Sequence, residues 1–269
     1  MSQPEPWQLT GSAAELYERY PARFILGPWA PALVARADLK HGERVLDVAC
    51  GTGLVARLAA PAVGSTGRVT GLDLNAGMLA VARSLPPPGG TPITWIERSA
   101  TAMEFPNGSF DVVFCQQGLQ FFPDRLAALR EMRRVLGANG RVLLSVWRAM
   151  GPYHAAVVDA LSQHVSVQAA ARFSASRIVP DADELHRLVV EAGFRTVAID
   201  GCRMNIRLPV VERFALSHLA ATPVADALAA VGSEARAALA DQVRLALAAY
   251  RDGDELVVPD ETNVVTALA

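Results

Sequence analysis

Several features that would announce a protein class at once are missing from this chain. Cysteine is scarce: Cys50, Cys115 and Cys202 are the only three in 269 residues, and none stands in CxxC spacing. Neither a disulfide framework nor a thiolate zinc site is therefore written into the sequence, and a reducing cytoplasm is the expected compartment. Charge bias is also missing, with 25 Lys and Arg against 27 Asp and Glu. A protein held mainly by nucleic-acid phosphates needs a basic surface, and the short pair Arg133-Arg134 is too little to make one. No run reaches the ~18 uninterrupted apolar residues of a membrane span. The opening MSQPEPWQLT carries an acid and prolines where a secretory leader has a basic and then an apolar region. Five histidines (His41, His154, His164, His186, His218) show no metal-ligand spacing, so no metal is expected. What is abundant is apolar: 51% of residues are hydrophobic and 19% charged, enough to bury a sizeable core. The length fits one large domain, or one domain with an added piece.

The first half alternates strand-like and helix-like segments. Arg44–Ala49, Arg68–Leu74, Ile93–Arg98, Phe110–Gln116 and Arg141–Trp147 read as five strands, rich in β-branched and apolar residues. Helical spacing fills Leu54–Ala60, Asn75–Ser84 and the stretch from Asp124, placed as N-cap, to Leu136. Strands separated by helices of this length make right-handed crossovers and a parallel sheet. The second half predicts helices over Pro152–Phe173 and Asp181–Ala192 and a sixth strand over Thr196–Leu208. An Ala- and Leu-rich helical block follows over Pro209–Tyr250, broken at Pro223 and Gly232. Glu255–Ala267 returns to strand character, with Pro259 marking a bend or an edge. A helical N-terminal segment, about Ala13–Ala37, carries Tyr17, Tyr20, Phe24 and Trp29.

The most informative stretch is Val45-Leu46-Asp47-Val48-Ala49-Cys50-Gly51-Thr52-Gly53. Two glycines after a strand and before a helix let backbone approach a ligand closely, with a helix N-terminus behind it. With Ala56 they satisfy the relaxed dinucleotide fingerprint G-x-G-x-x-G/A, and Asp73 stands 20 residues after Gly53, where a ribose-binding acid belongs. The loop alone does not separate a nicotinamide dinucleotide from another adenosyl ligand, nor from an ordinary strand–helix turn. Asp47 favours one side. A carboxylate ~4 Å from a phosphate costs about 1 to 4 kcal/mol as the medium becomes less water-like, whereas an amino-group cation and a sulfonium would gain from it. S-adenosylmethionine carries both and no phosphate.

VLDVACGTG resembles the first motif of the class I S-adenosylmethionine-dependent methyltransferases, small-molecule type, similar to those that act on quinone precursors and natural products. Four further stretches are similar in order and spacing: Gly71–Leu79 (GLDLNAGML), Phe105–Val113, Gln116–Asp124 (QQGLQFFPD) and Arg134–Val142. The resemblance covers Glu43–Trp147 closely and the C-terminal strands more loosely. It implies a Rossmann-like, doubly wound α/β fold: a seven-stranded, mostly parallel sheet with an antiparallel last strand and a helical cap insertion. The implied layout is an N-terminal helical lid over 1–40, a cofactor-binding core over 41–208, the cap over 209–250 and the final strand over 251–269.

The resemblance gives Asp73 the ribose hydroxyls and sets Leu74 and Met78 against the adenine. It gives Asp47, Ala49, Gly51, Thr52, Gly53 and Gln116 to the rest of the cofactor, with Tyr20 over it. Where the family often has an Asp before the Ala at position 100, this chain has Ser99. Ser99 is a weaker hydrogen-bond partner for the adenine amino group than a carboxylate, and the Ala100 N–H can still meet the ring. Gln117, Phe121, Phe122 and His154 are the candidates for the acceptor side, His154 also as a general base.

Each candidate has a plainer reading. Asp73 can cap the following helix, Met78 and one of the two phenylalanines can be core, and His154 can be a satisfied structural histidine. Cys50 suits packing better than nucleophilic attack. Methyl transfer needs no acid–base pair unless the nucleophile arrives protonated with a high pKa, so the lack of an evident one is no objection. The expected reaction is methyl transfer from S-adenosylmethionine, leaving S-adenosylhomocysteine, to a small organic acceptor. Partners are then a small-molecule substrate, without nucleic acid or membrane span; the apolar cap could equally face a second copy in a homodimer. The rival readings are a cofactor-binding paralogue without turnover and a dinucleotide-dependent oxidoreductase.

Overall fold

A computed structural model describes residues 12–209 and 211–269. The acid- and proline-bearing start and the first part of the 1–40 segment lie outside the described residues, as does residue 210 of the 209–250 segment. The chain divides into two compact units. A sheet unit comprises Trp29–Val146, Val179–Cys202 and Thr262–Ala269, and a helical unit comprises 12–28, Trp147–Ile178 and Arg203–Glu261.

The sheet is built from β1 (Arg44–Val48), β2 (Arg68–Asp73), β3 (Ile93–Glu97), β4 (Phe110–Gln116), β5 (Leu136–Trp147), β6 (Arg195–Pro209) and β8 (Glu255–Leu268). The two-residue strand β7 (Arg251–Asp252) pairs with β8 alone. The spatial order is β3-β2-β1-β4-β5-β8-β6. The pairs β1·β2, β1·β4, β2·β3 and β4·β5 are parallel. The last strand runs the other way. Arg148 N–H donates to Glu261 O at 3.0 Å while Ala269 N–H donates to Gly140 O at 2.9 Å, so the end of β5 meets the middle of β8 and the first part of β5 meets the end of β8. The expected mostly parallel sheet with an antiparallel final strand is what the chain forms.

Side-chain alternation explains why the strands are apolar throughout. Val45, Val69, Val112, Phe114 and Leu143 face one side with α2 (Ala30–Arg36) and α3 (Leu54–Val63). Leu46, Val113, Cys115, Leu144 and Val146 face the other with α5 (Arg125–Val135) and α8 (Ala182–Glu191). Both faces are covered, so neither can be polar. The cap signals act as expected: Asp124 accepts from Ala127 N–H at 2.8 Å and Asp181 from Glu184 N–H at 2.8 Å. Asn75 opens α4 (Ala76–Ser84) by accepting from Met78 N–H at 3.1 Å.

The helical unit holds α1 (Ser12–Tyr17), α6 (Gly151–His164), α7 (Val167–Ser174), α9 (Val211–Ala220), α10 (Ala225–Ala230) and α11 (Ser233–Ala246). Three boundaries differ from the sequence reading. The N-terminal helix does not run unbroken to Ala37: α1 widens over Glu18–Leu26 into a π-helical turn that contains Pro21. Proline lacks the N–H that an α-turn would use, and the wider turn accommodates it. The stretch Pro152–Phe173 is two helices, because Ser166 caps α7 by accepting from Ala169 N–H at 3.0 Å. β5 starts at Leu136, five residues early, since Leu136 already pairs with Phe110 before a register shift.

Candidate functional site

The chain leaves β1 through Ala49 (φ 54°), Gly51 (φ 56°) and Gly53 (φ 88°), three left-handed residues in five, before entering α3. Asp73, at the end of β2, ties this loop down. Its Oδ2 accepts from Gly51 N–H at 2.8 Å and its Oδ1 from Asn75 N–H at 2.8 Å. Each carboxylate oxygen retains acceptor capacity for a further donor. Burial raises the Asp73 pKa, with the amide hydrogen bonds pulling it back down.

Gly53 is required for a reason the sequence did not disclose. A Cβ there would lie 2.2 Å from Cη2 of Trp95 in β3, and one on Gly71 in β2 would lie 2.4 Å from Trp95 Cζ3. The indole fills the room that two missing side chains leave and presses on the loop from beneath. Gly53→Ala adds that clash to the left-handed strain, together about 2–4 kcal/mol. Adenosyl-ligand affinity should fall at least tenfold. Adding Trp95→Leu should return part of it; two losses that simply add in a double-mutant cycle would remove the clash as the cause.

Asp47 is fully buried at the end of β1. Its Oδ2 accepts from Ala56 N–H in the first turn of α3 at 3.0 Å, while Oδ1 has no hydrogen-bond partner. Burial, and next the charge of Asp73, push its pKa up to about 8 against the opposing Ala56 hydrogen bond. Burial likewise keeps the Cys50 thiol neutral, as its packing role requires.

Asp47 Oδ1 belongs to a pattern. Nine buried side-chain nitrogen and oxygen atoms among the described residues lack a partner. Seven of them lie near the carboxyl ends of parallel strands or in the segments just after: Asp47 Oδ1, Thr52 Oγ1, Asn75 Nδ2, Gln117 Oε1, both amide atoms of Gln120, and Ser145 Oγ. Native proteins pair buried polar groups almost without exception. Open α/β sheets bind ligands in the crevice at the carboxyl ends of their strands, and these orphaned groups collect there. A polar, adenosyl-type ligand fits the set: small residues on a tight loop, acceptors on Asp47 and Asp73, and donors and acceptors around them.

The sheet unit thus brings together Asp47, Ala49, Gly51, Thr52, Gly53 and Asp73 on one loop and its anchor, and Gln116 and Gln117 at the end of β4. Leu74 is exposed beside Asp73, and Met78 is buried in α4. The Ser99 hydroxyl bonds Thr101 Oγ1 at 2.9 Å and accepts from Thr101 N–H, while Ala100 packs into the core. Phe122 packs against that core and Phe121 is half-buried. Sequence reasoning missed Trp95, Asn75, Gln120 and Ser145. Only the N-cap signal of Asn75 was legible beforehand.

Tyr20 and His154 belong to the helical unit. Tyr20 meets Phe214 edge to face at 6.1 Å. His154 is buried, stacked on Phe173 at 5.5 Å and edge-on to His218 at 5.7 Å. Burial, with the charge of Arg177 adding to it, drives the His154 pKa well below its usual value. Such surroundings are those of a core histidine. Tyr153 Oη bonds His218 Nδ1 at 3.0 Å, and the buried Arg177 grips Asp260 through two hydrogen bonds, at 2.6 and 3.0 Å, over the Trp147 ring.

Known proteins match this arrangement. A family described as a methyltransferase domain matches residues 45–140. The ubiquinone/menaquinone biosynthesis C-methyltransferase UbiE of Xanthomonas campestris pv. campestris is 44% identical over 119 residues, 43% of this chain and 47% of that protein. Its counterpart in Burkholderia vietnamiensis is 35% identical over 180 residues, 63% of this chain and 74% of that protein. The chain therefore spans about half the length of the first relative and about three quarters of the second. Among solved structures, the phosphoethanolamine N-methyltransferase 2 of Haemonchus contortus in complex with S-adenosyl-L-methionine aligns over 96% of this chain and 57% of its own. The TM-score is 0.60 at 20% identity, a likeness of fold.

Proposed function

Because the chain belongs to the class I S-adenosylmethionine-dependent methyltransferases, we propose that it moves a methyl group from S-adenosylmethionine to a small organic acceptor. The observation that carries this is the gathering of orphaned buried polar atoms around the glycine loop at the carboxyl ends of the strands. Asp73 would receive the ribose hydroxyls, and Asp47 would face the cationic end of the ligand. Gly51, Thr52 and Gly53 would meet it through backbone, Leu74, Met78 and Ala100 through apolar contact, with Ser99, Gln116 and Tyr20 completing the set. Gln117, Phe121 and Phe122 would face the acceptor.

Bound in this way, S-adenosylmethionine supplies an electrophilic methyl group on a sulfonium. The chain's own part is to hold two molecules in line and to keep water out, which can account for roughly 7–11 kcal/mol of barrier. No base is assigned, since His154 is sealed in its aromatic cluster. We assign acceptor enclosure to the helical lid of 1–40 and the cap of 209–250 on their apolar composition. The names of the relatives make quinone precursors the first acceptors to try. The scarcity of cysteine supports a cytoplasmic setting, and the lack of charge bias supports a small molecule over nucleic acid. Among the described residues no helix is long and apolar enough to cross a membrane.

Calorimetric titration with S-adenosylhomocysteine tests the reading: binding is expected, and no heat at millimolar ligand overturns it. Asp73→Ala removes the loop anchor and the ribose acceptor together. Two charge-assisted bonds at ~1.5 kcal/mol each predict about 100-fold weaker binding, and an unchanged affinity would remove Asp73 from the site.

A further inference from the structure

Gln117 combines three costs in one residue. It sits directly after β4 with φ 51°, a left-handed conformation that a non-glycine residue holds only at an expense of order 1 kcal/mol. The residue is 5% exposed, and its Oε1 has no hydrogen-bond partner. Its backbone is pinned, because Gln117 N–H donates to Ser145 O at 2.9 Å.

The orientation of the carboxamide follows from Thr262. The Thr262 hydroxyl lies 2.7 Å from Val146 O and 3.0 Å from the Gln117 amide. A hydroxyl has one proton, and the Val146 carbonyl can only accept. Thr262 therefore gives its proton to Val146 and must accept from Gln117, which turns the Nε2 of Gln117 toward Thr262. The carbonyl oxygen Oε1 is left as the group on offer. This relay crosses the three neighbouring strands β4, β5 and β8, and all of its members are in the sheet unit. An acceptor oxygen that is buried, strained into place and locked against flipping is expensive to keep without a donor to meet it.

We propose that Gln117 Oε1 recognises the methyl acceptor by accepting a hydrogen bond from an uncharged hydroxyl of it, and that Thr262 is the positioning residue that holds the carboxamide in this sense. This deepens the methyltransferase reading and rests on it. The groups around the relay (Thr262, the Val146 carbonyl and Ser145) carry no charge. A cationic donor would thus be buried against a neutral amide at greater cost than a hydroxyl.

The test uses phenol as the hydroxyl-bearing probe and anisole, which lacks the donor, as its partner. Both are titrated by NMR into the full chain saturated with S-adenosylhomocysteine. Wild type should bind phenol about tenfold more tightly than anisole. In the free protein the Gln117 side-chain amide should give a distinct, exchange-protected pair of resonances. Thr262→Val should abolish the preference and the protection with S-adenosylhomocysteine affinity unchanged, and Thr262→Ser, which keeps the hydroxyl, should retain both. Gln117→Leu should abolish the preference as well. Failure to bind S-adenosylhomocysteine would overturn the underlying methyltransferase reading. Normal cofactor binding with no phenol bound up to its solubility limit, equal affinity for phenol and anisole, or a preference that survives Thr262→Val and Gln117→Leu would overturn this proposal alone.

Discussion

Asp47→Asn should make the ligand-free protein more stable at pH ~8 while weakening its hold on S-adenosylmethionine. The two effects share one cause. In the folded chain the Asp47 carboxyl is fully buried and retains its proton until about pH 8, whereas its ordinary value is 3.8. Unfolding above that ordinary value releases the proton, so the unfolded state binds fewer protons and the Asp47 contribution to stability falls as pH rises from about 4 to about 8. A tenfold difference in proton affinity between the two states is worth about 1.4 kcal/mol, which makes the full cost about 5 kcal/mol at pH ~8. Asparagine keeps the acceptor for Ala56 N–H and carries no charge, so the Asp47 part of the slope should vanish. Denaturant titrations of both proteins at several pH values between ~4 and ~8 measure it. The curves should converge at the acid end and separate toward the alkaline end; parallel curves would falsify the assignment. Ligand binding carries the complementary sign. A cation beside Oδ1 favours the carboxylate, so binding below pH ~8 should release a proton and tighten as pH rises. In the variant neither dependence should remain.

That buried acid shows where sequence reading succeeded and where it stopped. Asp47, the glycine loop and Asp73 were legible because their chemistry is fixed by order along the chain: strand, two glycines, helix, then an acid after the next strand. The alternation of Val112 and Phe114 with Val113 and Cys115 likewise revealed a strand buried on both faces. What stayed hidden depends on residues distant in sequence meeting in space. Trp95 demands glycine at positions 53 and 71, and nothing in ITWIE says so. Thr262 fixes Gln117 from 145 residues away. Ser166 was legible as a cap in principle, but the unbroken alanine pattern on either side masked the stop between α6 and α7. The aromatic packing of His154 was open to sequence reading only as one alternative, since a buried and a solvated histidine look alike in a string of letters.

The histidines of the helical unit should make the protein sensitive to acid. Burial, followed by the charge of Arg177, pushes the His218 pKa down to about 3 and that of His154 well below 6.5. Unfolded chain takes up protons on both residues below pH ~6.5 while the folded unit refuses them. The unfolded state then binds more protons, so stability is fully present above pH ~6.5 and is lost as pH falls through that window. Two such groups steepen the loss to about 2.7 kcal/mol per pH unit. Asp47 opposes them below pH ~6.5 and acts without them above it. Of these three groups, the two histidines outweigh Asp47 below pH ~6.5 and Asp47 acts alone above it. His154→Phe keeps an aromatic ring beside Phe173 and removes one proton site, and should roughly halve the acid slope due to the histidines. Thermal midpoints between pH ~4.5 and ~7 would show it. A variant as acid-labile as wild type would mean that protonation of this cluster does not drive the loss.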